Sequence, residues 1–125
     1  MMRNELAKIK KIAENPNIDA MGIFGSRARR DNRENSDYDI FMISNLNLEE
    51  ELELEEKLEK ALNQTVDLIQ LNEKTDKRLA KNIINDGIII VDKKNKYMQF
   101  CIMIENFYRE NSDFIEKRKR DLINE

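Results

Sequence analysis

A chain of 125 residues with 40% hydrophobic content can bury one core and not two, since a domain of this size hides roughly two-thirds of the surface its unfolded chain exposes. The net charge of −3 and a pI near 5.2 argue against a protein whose main business is binding phosphate backbones, which needs a basic face. The single cysteine excludes an intramolecular disulfide and a thiolate zinc cluster, and the absence of histidine leaves any catalysis to carboxylates, lysines, hydroxyls or a bound metal.

Leu6, Ile9, Lys10 and Ala13 fall at helical spacing and stop before the breaker Asn15-Pro16-Asn17, which predicts a first helix. Ile18 to Phe24 is a short apolar run that ends in Gly25-Ser26 and continues into Arg27-Ala28-Arg29-Arg30, the pattern of a strand turning tightly into a helix. After a polar loop from Asp31 to Ser36, the segment from Asp37 to Ile43 becomes continuously apolar, as a central strand does when both of its faces are covered. From Leu46 the sequence predicts an amphipathic helix with Leu48, Leu52, Leu58 and Leu62 on one broad face. Val66 to Leu71 reads as a strand, Thr75 to Asn85 as a helix carrying Leu79, Ile83 and Ile84, and Gly87 to Val91 as a fourth strand.

A long helix closes the chain over about residues 96–120. Tyr97, Phe100, Cys101, Ile104, Phe107, Tyr108 and Ile115 follow at three- and four-residue steps before the basic run Lys117 to Arg120. Met98, Ile102 and Met103 make this helix apolar nearly all round, so a homo- or hetero-oligomeric contact is expected there. The expectation is a single α/β (α+β) domain over 1–125, with a mixed sheet of about four strands flanked by helices. No apolar stretch approaches the roughly 20 residues of a membrane span and no signal-peptide h-region opens the chain, so a cytoplasmic protein is expected.

Chemistry concentrates in the first half. Asp37 and Asp39 are two apart in a strand, so they project from the same face about 6.6–7 Å apart along it. Two such carboxylates repel unless a divalent cation sits between them. Hard oxygen ligands suit Mg²⁺, which substrate phosphates complete, and a two-ion site would activate a hydroxyl and stabilise a leaving pyrophosphate. Gly25 lets the backbone approach phosphate closely and Ser26 adds a hydroxyl. Of Arg27, Arg29, Arg30 and Arg33, some could neutralise triphosphate while others stay in solvent, Arg27 and Arg29 being the nucleotide-binding candidates. Asp67, at the start of the next strand, would lie beside the aspartate pair if the two strands pair, as a third metal ligand or a general base.

The run Gly25-Ser26-Arg27-Ala28-Arg29, followed by Ser36-Asp37-Tyr38-Asp39 with eleven positions from Ser26 to Asp37, resembles the glycine-serine and aspartate-x-aspartate signature of the DNA polymerase β-like nucleotidyltransferase superfamily. Within it the sequence is most similar to the minimal, MntA-like (MNT) group. The resemblance covers roughly Ile9 to Asp92 and implies a nucleotidyltransferase fold with Asp37, Asp39 and Asp67 as catalytic and metal-binding carboxylates. It further implies ATP as substrate, Mg²⁺ as cofactor and a HEPN-domain toxin as partner, which proteins of this group modify by transferring AMP to a tyrosine. Two other readings fit the same core: an antitoxin that acts by binding alone, and an antibiotic-type enzyme with a small-molecule acceptor. One position departs from the pattern, since Arg30 stands where the group usually has glycine, which implies a differently shaped exit from the short helix.

Overall fold

In the computed structural model, which describes residues 2–112, the order is α1 (Met2–Ile12), β1 (Ile18–Phe24), α2 (Gly25–Arg29), β2 (Tyr38–Ser44), α3 (Leu48–Leu62), β3 (Val66–Gln70), α4 (Lys77–Asp86), β4 (Ile88–Asp92) and α5 (Lys96–Glu110). Ile115 and the basic run Lys117 to Arg120, expected in the terminal helix, lie outside the described residues. The sheet has the order β3-β2-β1-β4. The strands β2 and β4 flank β1 and run antiparallel to it, whereas β2 and β3 are parallel. A parallel pair needs a long crossover, and α3 is that crossover.

Alternation along the strands divides the core into two layers. Ile40 and Met42 of β2 face Ile9, Leu54 and Leu58 of α1 and α3, while Phe41 faces Ala80, Ile83, Phe100 and Ile104 of α4 and α5. The inner strands β1 and β2 thus have both faces covered, which is why their sequences read as continuous apolar runs. Close packing on the second face depends on Gly22, where a Cβ would collide with the Phe41 ring and the Ile88 carbonyl. Phe41 stacks on Tyr97 with ring centroids 5.0 Å apart, tying α5 to the sheet.

Helix ends follow local chemistry. Asn47 and Glu50 form a reciprocal capping box at the start of α3. Asp76 accepts the Leu79 N–H to cap α4, and the Asp92 carboxylate accepts the Tyr97 and Met98 N–H groups at the head of α5. The expected face of α3 needs correction. Leu54, Leu58 and Leu62 are buried, whereas Leu48 and Leu52 are 72% and 58% exposed. At about 100° per residue, the buried stripe at i, i+4, i+8 leaves Leu48 and Leu52 roughly 80–120° off it. On α5, Phe100 and Ile104 are buried while Met98 and Ile102 remain 54% and 49% exposed. Among the described residues, no helix is long and apolar enough to cross a membrane.

Candidate active site

The carboxylates gather where β2 and β3 begin and β1 ends. Asp39 and Asp67 are direct partners in the parallel register, so their Cα atoms are neighbours at about 4.7–4.9 Å. Both share the alternation of Phe41, Ile43 and Ile69, which face the α4/α5 layer, so the two side chains leave the same side of the sheet. Asp37 has the same parity but lies one residue before β2 and is exposed.

On its other side Asp39 is paired with Phe24, the last residue of β1, and immediately beyond it the chain turns at Gly25. Gly25 has φ +72, in the left-handed region, and a Cβ there would fall on the Asp39 carboxylate. Glycine is thus required twice, by backbone conformation and by the space the carboxylate occupies. Ser26 follows, half-buried, and its carbonyl accepts the N–H groups of Arg30 and Asp31 to close the short helix. Arg30 itself adopts φ 64, ψ 27, so the exit of α2 is the left-handed turn that glycine ordinarily makes.

Burial raises the Asp39 carboxyl above its ordinary pKa, and the negative charges of Asp67 and Asp37 raise it further; Arg29 opposes them. The field extends to α3, where burial, Glu59 and Asp67 together raise Glu55. Among the described residues, no three acidic, histidine or cysteine side chains are already drawn together closely enough to hold a metal ion. The donor set nevertheless fits a hard divalent cation, because the Asp39 carboxylate, whose charge its two neighbours oppose, is stabilised when a cation neutralises the group.

The arginines divide sharply. Arg27, expected at nucleotide, is only 4% exposed and points inward. Its Nε and Nη2 donate to the Ser36 carbonyl at 3.2 and 2.7 Å, Nη2 also to the Glu34 carbonyl at 3.3 Å, and Nη1 to the Tyr38 phenol at 3.4 Å. The guanidinium carbon lies 4.2 Å from the centroid of the Tyr38 ring. These contacts use four of its five N–H donors, so in this structure the guanidinium clamps the loop. Arg29 is exposed, donating to Asp31 at 3.1 Å and Asp86 at 3.0 Å, and is the arginine that acts on the Asp39 charge.

Sequence reasoning missed this division, although a signal was present. Residues two apart on a helix lie on opposite sides, so Arg27 and Arg29 could not both face one ligand. It also passed over Tyr38, buried between the two aspartates as the platform for Arg27. Burial raises the phenol pKa, and so does Glu5, while Arg27 lowers it.

The family model described as polymerase beta, nucleotidyltransferase matches residues 7–96. No curated protein matches the chain. Among solved structures, a toxin-antitoxin complex with AMP-PNP contains a similar chain with TM-score 0.76 and 23% identity, covering 94% of this chain and 98% of that one. An MntA-HepT toxin-antitoxin structure gives TM-score 0.70 at 23% identity, over 98% of this chain and 99% of that one. A third, of a tri-AMPylated Shewanella oneidensis HEPN toxin in complex with MNT antitoxin, gives TM-score 0.73 at 21% identity, over 98% and 99% of the two chains. At these identities the likeness is one of fold.

Proposed function

Since the chain belongs to the polymerase beta nucleotidyltransferase family, its model matching residues 7–96, we propose that it transfers AMP from ATP, with Mg²⁺, to a tyrosine hydroxyl of a HEPN-domain toxin and thereby acts as that toxin's antitoxin. The observation that carries this reading is the pairing of Asp39 with Asp67 in the parallel register, with Gly25 left open beside the Asp39 carboxylate. Similar folds occur in structures of toxin-antitoxin complexes, one with AMP-PNP and one with an AMPylated toxin, which supports the choice of nucleotide and acceptor.

In this reading Asp37, Asp39 and Asp67 hold the metal, and Gly25, Ser26 and Arg29 face the triphosphate. Bound Mg²⁺ would neutralise the phosphates and the leaving pyrophosphate. The tyrosine oxygen attacks the α-phosphorus, the bond to the β-phosphate oxygen breaks, and Asp67 takes the hydroxyl proton as general base. Arg29 exchanges Asp31 and Asp86 for phosphate oxygens, a trade between charge-assisted contacts of similar kind. The exposed apolar face of α5 at Met98 and Ile102 supports a protein acceptor docked against it, since exposed apolar surface of this kind marks contact sites.

The test is to incubate the protein with ATP, Mg²⁺ and a candidate HEPN-domain partner, and to weigh that partner by mass spectrometry. One or more AMP additions on tyrosine are expected, and Asp39→Asn abolishes them. A stable complex with unmodified partner mass would replace this reading with neutralisation by binding alone.

A further inference from the structure

Asp37 is exposed and precedes the first residue of β2, so the sheet ladder alone does not set its position. We propose that Arg27 is a positioning residue that fixes the Asp37 carboxylate for metal binding by clamping the residues on either side of it. This inference rests on the reading of Asp37 as a metal ligand.

The geometry is specific to Asp37. The residue before it, Ser36, gives its carbonyl to two nitrogens of the Arg27 fork. The residue after it, Tyr38, lies beneath the guanidinium and accepts from Nη1, while its own N–H donates to the Thr65 carbonyl at 2.9 Å. A third acceptor, the Glu34 carbonyl, holds the loop further back. Asp37 is therefore strung between two residues held by one rigid planar group. The loop's own turn, in which Ser36 N–H donates to Arg33 O and Ser36 Oγ accepts from Arg33 N–H, orders the approach to Ser36 but makes no contact beyond it.

The energetics make a purely structural role an expensive solution. Among the described residues no carboxylate forms an ion pair with Arg27, so a nearly fully buried cation is balanced by carbonyl and phenol dipoles and a ring face, with the Glu5 carboxylate acting on it only through the Tyr38 phenol. Burying an ion costs several kcal/mol before such compensation, and a well-packed apolar residue of similar volume is often as stable or more so. A guanidinium, unlike an apolar residue or a lysine, can reach two carbonyls and a phenol at once from one plane. The same burial that makes it costly for stability makes it stiff, which is what a ligand on an otherwise free loop end requires.

The test compares the intact protein with Arg27→Lys and Tyr38→Phe. Binding of Mn²⁺ in the presence of a non-hydrolysable ATP analogue is read from the free-ion electron paramagnetic resonance signal, beside thermal unfolding and the Mg²⁺ dependence of transfer. Losing a group that orients a metal ligand typically weakens metal affinity about 10–100-fold, and Arg27→Lys is expected in that range, with kcat largely recovered at saturating Mg²⁺. Tyr38→Phe removes one acceptor of the charged guanidinium while keeping the ring beneath it; because that bond is long at 3.4 Å, it is expected to weaken Mn²⁺ binding about threefold, the low end of what a hydrogen bond contributes. A folded Arg27→Lys with lowered Tm and wild-type Mn²⁺ affinity overturns the proposal. If Arg27→Lys does not fold, unchanged Mn²⁺ affinity in Tyr38→Phe does the same. A wild-type protein that neither binds Mn²⁺ nor transfers nucleotide would instead refute the functional reading itself, so the two failures are distinct.

Discussion

Replacing Arg30 with glycine should stabilise the protein. Arg30 closes α2 at φ 64, ψ 27, with its N–H donated to the Ser26 carbonyl, and its side chain is exposed. A residue with a Cβ loses about 1–2 kcal/mol in the left-handed region relative to its preferred one. Glycine escapes this, but its freer unfolded chain returns about 0.4–1 kcal/mol. The net gain is about 0.5–1 kcal/mol. For a domain of this length each kcal/mol moves Tm by roughly 3–5 °C, so Arg30→Gly should melt about 2–4 °C higher, with a matching rise in urea midpoint and an unchanged m-value. Circular dichroism melts of Arg30→Gly and Arg30→Ala supply the assay and its control, because alanine removes the same side chain while keeping the Cβ in the left-handed turn. If alanine stabilises as much as glycine, or glycine not at all, the backbone argument is wrong and the Arg30 side chain is what matters.

The Asp39 carboxyl has a raised pKa, so the folded chain binds its proton more tightly than the unfolded chain does. It therefore favours folding at low pH, loses that contribution as pH rises through its folded-state titration, and is a net cost at neutral pH. In chelator at neutral pH, Asp39→Asn should raise Tm; two like charges about 6 Å apart in water repel by about 0.7 kcal/mol, and a gain on that order is expected. The gain should shrink at pH 4 and vanish or reverse against wild type when Mg²⁺ and nucleotide are added; equal melting of the two proteins in chelator at neutral pH would contradict the electrostatic account. In α3, Leu58→Ala should cost about 2–5 kcal/mol, whereas Leu52→Ala should stay within about 0.5 kcal/mol. Urea unfolding that ranked the two leucines equally would mean the helix face is misassigned.

How far the sequence reached depends on which physical signal each feature left in it. The period and punctuation of Ile18 to Phe24 located β1 at the bounds it has in the structure, whereas the helix expected from Leu46 begins at Leu48, because Asn47 caps it, a signal the sequence carried and the reading did not use. Leu48 and Leu52 were misplaced because a leucine-rich, glutamate-rich helix offers more than one apolar stripe, and only the crossover from β2 to β3 decides which is buried. The convergence of Asp39 with Asp67 required parallel pairing, a long-range property that local pattern implies only through the length of the intervening helix. Arg27 and Arg29 carry the same charge and flank the same alanine, so composition could not separate them. Their separation comes from helical spacing, which sets residues two apart on opposite sides of α2 and turns one guanidinium into the loop and the other toward Asp31 and Asp86.

Gly25 offers a way to ask whether turn and carboxylate were selected together. Gly25→Ala should be destabilising for two separable reasons: the left-handed φ costs about 1–2 kcal/mol, and the new Cβ lands on the Asp39 carboxylate, which must then move. The first cost persists in any background. The second depends on the Asp39 carboxylate being there, since the Asp39 Cβ would lie 3.4 Å from the added methyl, at ordinary contact. Shortening Asp39 to alanine should therefore relieve it, making Gly25→Ala less damaging in an Asp39→Ala background than in the wild type. Groups in direct contact couple by about 0.5–3 kcal/mol in such cycles, and this pair should fall in that range with the double variant more stable than the sum of the singles. Strict additivity would place the whole cost of Gly25→Ala in backbone strain. The carboxylate would then have room to spare, and the glycine would serve the turn alone.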